Sequence, residues 1–160
     1  MNRGSDETSS LRELLQLCLW DLYAGCQAVE RRLPAVARCA ADADWRAEVQ
    51  ALPEAARLRA QRMHAAAAGG CVDGPDNLWM RGIMDDAERD TRTIAAGRLL
   101  DLAMIGAVRK AIAAELASIR TAQAISARLG ESAALQALTL NAADLRREEA
   151  ILDQRLQALS

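Results

Sequence analysis

Three breaks interrupt a sequence otherwise written in helix-forming residues, and their lengths constrain the fold more than any motif does. ADAD, at 41–44, is a short turn. GGCVDGPDN, at 69–77, is an unmistakable loop, and LWMRGIMDDAERDTRTIAAG behind it reads as a short helix plus a linker. The third break, at Gly130, is two or three residues long. Short turns join antiparallel neighbours. A connector of about 25 to 30 residues can travel the length of a bundle roughly 40 Å long, at ~1.5 Å per helical residue. Short, long, short is therefore the pattern of two antiparallel helical hairpins joined by one long crossover, the ferritin-like plan for a four-helix bundle; an up-down-up-down bundle has no use for such a connector.

Each expected helix carries an apolar stripe at steps of three and four. In the first, SLRE sets Ser10 and Glu13 as a capping box, and the stripe runs Leu11, Leu15, Cys18, Leu22, Cys26, Val29, Leu33, Val36 through Pro34 toward Ala40. The second follows an N-cap at Asp42 or Asp44 and runs from Trp45 to about Ala68, through Trp45, Val49, Leu52, Ala56 and Met63, past Pro53. The third spans Arg98 to Leu129 with Leu102, Ile105, Val108, Ile112, Glu115, Ile119 and Ala122 on one face, and Gly130 ends it. The fourth presents Leu135, Leu138, Ala142, Leu145, Glu149, Leu152, Leu156 and Leu159. The 160 residues thus divide into a polar tail at 1–9, expected to be disordered, and a single all-α bundle domain at 10–160.

Charge and cysteine usage exclude several classes. The net charge of −2, with acidic and basic residues interleaved, gives no footprint for nucleic acid. The opening MNRGSDETSS lacks the apolar run of a secretory signal, and no apolar stretch reaches the ~18 residues of a membrane span, so a cytoplasmic chain is expected. Cys18, Cys26 and Cys39 fall along one expected helix, the nearest two about 12 Å apart, beyond the ~7 Å limit for a disulfide. Only Cys71 could pair with one of them, and reduced thiols are expected. The glycines of AGGCVDGPD follow no strand and make no phosphate-binding fingerprint. A single histidine, His64, near the end of the second helix, supports neither a catalytic triad nor a Glu-x-x-His ligand pair and reads as a surface or hairpin-end residue.

Polar residues on the stripes carry the remaining information. Glu115 and Glu149 are in phase with their stripes, Arg59 falls in the gap between Ala56 and Met63, and Cys26 sits on the first stripe. All four helices therefore place something unusual at a similar depth. Buried carboxylates are costly unless paired or coordinated. The leading expectation is an internal ion network of Arg59, Glu115 and Glu149; the alternative is a single zinc or iron ion held by Cys26, Glu115 and Glu149. A thiol-based redox sensor using Cys26, beside Arg59, or Cys71, exposed in its loop, is a third reading.

Several stretches together resemble the YciE/YciF-like branch of the ferritin-like superfamily, bacterial stress-associated proteins: DLYAGCQAVERRLPAVARCA, LWMRGIMDDAE, LLDLAMIGAVRKAIAAELA, ARLGESAALQAL and REEAILDQRLQAL. The resemblance runs from about residue 11 to 159 and implies a carboxylate-bridged di-metal centre. The departures bear on that centre directly. Cys26 stands where the family places a glutamate after Asp-Leu-Tyr-x-x. Ile112, Ala113, Ala114 and Glu115 stand where it reads Glu-His-Tyr-Glu, and a family histidine on the second helix falls near Leu52 or Arg59. Glu148 and Glu149 match the family's Glu-Glu pair. Isoleucine has no lone pair to offer a metal, so a degenerate site with no cofactor is expected. The chain then reads as a non-enzymatic, structural or interaction bundle linked to stress, a homodimer with Trp20, Leu78, Trp79 and Met80 as candidates for a dimer patch or, equally, for a lid over the bundle.

Overall fold

The structure, a computed structural model, describes residues 8–72 and 74–160. The expected tail at 1–9 lies outside the described residues except for Thr8 and Ser9. Five helices follow in order: α1 (Leu11–Ala37), α2 (Ala43–Ala66), α3 (Leu78–Thr93), α4 (Arg98–Leu129) and α5 (Ser132–Leu159). The helix starts and stops follow local chemistry. Ser10 and Glu13 form the reciprocal capping box, and the Asp42 side chain accepts from the Trp45 amide, which starts α2 two residues earlier than its stripe implies. α1 and α2 both continue through their prolines. Gly130, at φ 70°, takes the left-handed conformation that ends α4, while the Glu131 amide reaches back to the Ser126 carbonyl.

α1 pairs with α2 and α4 with α5; α1 lies against α4 and α2 against α5, so the two hairpins make a four-helix square. α3 is the helix of the crossover and packs on α1 and α4, covering their seam. The opposite seam, between α2 and α5, has no such cover among the described residues. The core is a single cluster of aliphatic side chains, Met63, Met80, Met84, Met104 and the fully buried Trp45. Leu15, Leu19, Leu22, Cys26, Val29, Leu33 and Val36 are the buried line of α1. Cys18 is only half-buried and Leu11 is 47% exposed, so Leu19 takes the inward place expected for Cys18. The reason is periodic: from Leu15 onward the buried positions alternate strictly by four and three, the spacing that keeps a stripe facing its partners in a bundle.

The crossover loop is sewn to α1. The Trp20 indole and the Gln16 amide both donate to the Gly70 carbonyl, Asn77 Nδ2 donates to the Asp21 carbonyl, and Trp79 Nε1 donates to the Asp21 carboxylate. Asn77 also caps α3 by accepting from the Met80 amide. This stitching explains a glycine in mid-helix: a Cβ at Gly25 would stand 2.9 Å from Asn77 Nδ2. The contacts also revise the expected patch. Met80 is fully buried, Trp20 and Trp79 are half-buried and hydrogen-bonded, and of the four only Leu78, 65% exposed, is free on the surface.

Candidate functional site

The bundle centre is built from one polar residue on each of its four helices. On α2, Arg59 is fully enclosed, 3% exposed, between the buried Ala56 and Met63. Its Nη1 donates to Glu148 Oε1 on α5 at 2.6 Å, and its Nε stands 3.5 Å from Glu115 Oε2 on α4 without an aligned acceptor. Cys26 on α1 completes the group, its Sγ donating a long 3.8 Å contact to the same Glu115 oxygen. The arrangement extends along the α2–α5 seam. Asn141 Nδ2 donates to the Arg59 carbonyl, Arg62 donates to Asn141 Oδ1 and pairs with Asp144, and Asp144 also pairs with Arg147.

Glu149, expected in this network, is not part of it; its neighbour Glu148 is. Both fit a stripe between Leu145 and Leu152, one by steps of three then four and the other by four then three. One residue is about 100° of helix rotation. Position 148 shares the edge of α5 that carries Asn141 and Arg155, and this edge meets α2, whereas Glu149 sits half-exposed without an ion pair among the described residues. Sequence periodicity cannot separate adjacent glutamates; only the direction of α2 does.

The electrostatics favour a charged arginine and a neutral thiol. Burial opposes the Arg59 charge, but the nearby Glu115 and Glu148 outweigh it and raise its pKa. Burial pushes the Glu115 carboxyl above its ordinary value, against the pull of Arg59, and does the same to Glu148. The Cys26 thiol is pushed up strongly by burial, with the adjacent Glu115 adding to the effect. A metal needs deprotonated, converging ligands. Here a guanidinium fills the space among the carboxylates, the thiol is held protonated, and the third ligand named for a zinc or iron ion, Glu149, points elsewhere. Among the described residues no group of three or more His, Cys, Asp or Glu is placed to hold a metal ion. The donor set does not fit the di-metal centre of ferritin-like bundles or a single-ion version of it.

The thiol reading also changes. Cys71, expected to be exposed in its loop, is buried, and burial raises its pKa to about 11. Both candidate thiols lack the exposure and lowered pKa of a reactive cysteine. The exposed thiol is Cys39, just past the end of α1. His64 stands at the end of α2, its Nδ1 accepting from the Cys71 amide at 3.0 Å and its ring 5.8 Å from that of Tyr23, so it serves the hairpin end as expected.

One buried acid was not singled out by its stripe. Asp101, 1% exposed, accepts from the Ala41 amide at 2.9 Å and the Asp42 amide at 2.8 Å, tying the α1–α2 turn to the first turn of α4. Its signal in the sequence is weak: a lone acid inside the apolar run LLDLAMIGAV.

No protein-family model and no curated protein sequence matches the chain. Solved structures do match its shape. The stress protein YciF from E. coli superposes with a TM-score of 0.88 at 17% identity, covering 95% of this chain and 98% of that one. YcfI from Rhodopseudomonas palustris superposes with a TM-score of 0.88 at 21% identity, covering 94% and 98%. With five helices in this order and near-complete overlap, the chain has the all-α bundle fold of these two structures.

Proposed function

We propose that the chain is a metal-free, non-enzymatic member of this fold group, acting as a structural or interaction module. The observation that carries the reading is Arg59. A guanidinium lying between Glu115 and Glu148 supplies, from the chain itself, the positive charge that a bound metal would supply to the carboxylates of a ferritin-like centre. With Cys26 in place of a carboxylate, the centre becomes a sealed ion network. The character of the neighbours supports the role: one is a stress protein and the other has been put forward as a structural protein. A cytoplasmic stress-linked function is part of the proposal, and no helix among the described residues is long and apolar enough to cross a membrane.

A homodimer is the expected assembly. The bare α2–α5 seam favours it, since Ala51, Ala55, Ile151 and Leu152 line an apolar groove there, with Ile151 47% exposed. Elemental analysis of protein expressed with iron and zinc supplied tests the metal half of the proposal. Metal should stay at trace levels; stoichiometric metal that disappears in Cys26→Ala would overturn it. Light scattering of the purified protein tests the dimer, and a monomer mass at micromolar concentration would refute it.

A further inference from the structure

A hollow of about 300 Å³ lies between α1, the crossover loop and the start of α3, level with Cys26 along α1 but on the face of the helix that carries Trp20, Gln27 and Arg31. That volume is at the lower end of small-molecule sites, roughly 300–1,000 Å³. Its wall includes the partly buried rings of Trp20 and Tyr23 and the amide of Gln27. Among the described residues its charged lining is Arg31, Arg32, Arg81 and Asp76. Arg32 is neutralised by Asp85 and Glu88. Arg31 and Arg81 are exposed and have no carboxylate partner among the described residues, leaving two uncommitted guanidinium groups at the rim of the hollow.

The hollow is also preformed. Four side-chain hydrogen bonds from Gln16, Trp20, Asn77 and Trp79 join the loop to α1, and Gly74 packs so closely that a Cβ there would lie 2.5 Å from Trp20 Cβ. These contacts hold both ends of the loop against α1, which lowers the entropic cost of binding there.

We propose that this hollow is a binding site for a small aromatic carboxylate, its ring against Trp20 and Tyr23 and its carboxylate held by Arg31 and Arg81. Guanidinium groups match a carboxylate in shape and donor spacing.

The probe is 2-naphthoate, titrated by calorimetry and followed by the indole N–H resonances of isotope-labelled protein. The three tryptophans give separable readouts, with Trp20→Phe assigning the first. One molecule should bind per chain, with saturation below about 1 mM. The Trp20 signal should move while that of Trp45, buried in the core, stays. Arg31→Ala/Arg81→Ala should weaken binding at least tenfold, Arg81→Gln alone severalfold, and acetate or neutral 2-naphthamide should bind at least tenfold more weakly than 2-naphthoate. Both arginines are exposed, so circular dichroism should show the variants folded. Absence of saturable binding, unchanged affinity in the double variant, equal binding of acetate or 2-naphthamide, or a shift at Trp45 instead of Trp20 would each overturn the proposal.

Discussion

Arg59→Met keeps the length of the buried side chain and removes its charge, which isolates what the guanidinium does for the fold. In the parent protein Arg59 pairs with Glu148 at 2.6 Å and stands 3.5 Å from Glu115, itself 1% exposed. Without the cation, Glu115 is either an unpaired buried charge or a protonated acid. The second state sets the ceiling on the loss. Holding a carboxyl of ordinary pKa ~4.3 protonated at pH 7 costs about 1.36 kcal/mol per pH unit, hence about 4 kcal/mol relative to the ionised unfolded chain. At pH 5 the same cost is about 1 kcal/mol. The pH 7 figure agrees with the ~3–5 kcal/mol found when one partner of a buried ion pair is removed. Urea unfolding at pH 7 and pH 5 measures both. The expected losses are about 4 and about 1 kcal/mol, the first a drop of roughly 8–16 °C in Tm for a domain of this size. Adding Glu115→Gln to Arg59→Met should recover most of the pH 7 loss. A loss under about 1 kcal/mol at pH 7, or an equal loss at both pH values, would refute the view that Arg59 neutralises the centre.

Three further outcomes follow from the same geometry. Burial raises the folded pKa of Glu115 above its ordinary 4.5, so the native state binds that proton more tightly than the unfolded chain. Its contribution is fully present below the ordinary value and is lost as pH rises through the raised one, so the stability of Glu115→Gln relative to the parent should improve as pH rises through that window and level off above it. Chemical denaturation across acidic to neutral pH reads the sign, and the opposite slope would contradict the burial argument. In native protein a thiol reagent should modify Cys39 first and the half-buried Cys18 more slowly, with Cys26 and Cys71 reacting only on unfolding; mass mapping of the labelled sites checks the order. Asp101→Ala strips two charge-assisted hydrogen bonds from the α1–α2 turn and should cost about 2–4 kcal/mol in thermal unfolding, with Asp101→Asn intermediate.

A ferritin-like centre and this one solve the same physical problem. Carboxylates on bundle helices cannot remain in an apolar core without compensating positive charge. Bound metal supplies that charge at the cost of depending on supply, whereas an arginine supplies it with the fold. Arginine suits the position because its extended, delocalised charge can donate to one carboxylate, Glu148 on α5, while standing 3.5 Å from a second, Glu115 on α4. Three of the network's side chains, Arg59, Asn141 and Glu148, also lie on the seam between the hairpins, where direct helix contact is least extensive. The polar network therefore fixes the register of α2 against α5 at the place where aliphatic packing specifies it least.

The helices, their order and the crossover were legible in the sequence because each depends on chemistry within a few residues. The Ser10–Glu13 box, Asp42, Gly130 and three-four spacing act locally, and connector length alone separates a crossover bundle from an up-down one. The inward positions of Cys26, Arg59 and Glu115 were legible for the same reason, since periodicity fixes which face a residue occupies. What a face meets is a different matter. Glu148 and Glu149 satisfy the stripe equally, and the choice between them was made by α2 lying on one side of α5. Cys71 is buried and Asp101 holds a distant turn because α1 and α4 bring segments about 50 and 60 residues apart into contact. Met80 is core and Gly25 is needed because the crossover folds back onto α1. The sequence by itself determined the helices and their inward residues; the tertiary structure decided which inward residues meet, because partner identity depends on helix–helix placement that no local spacing encodes.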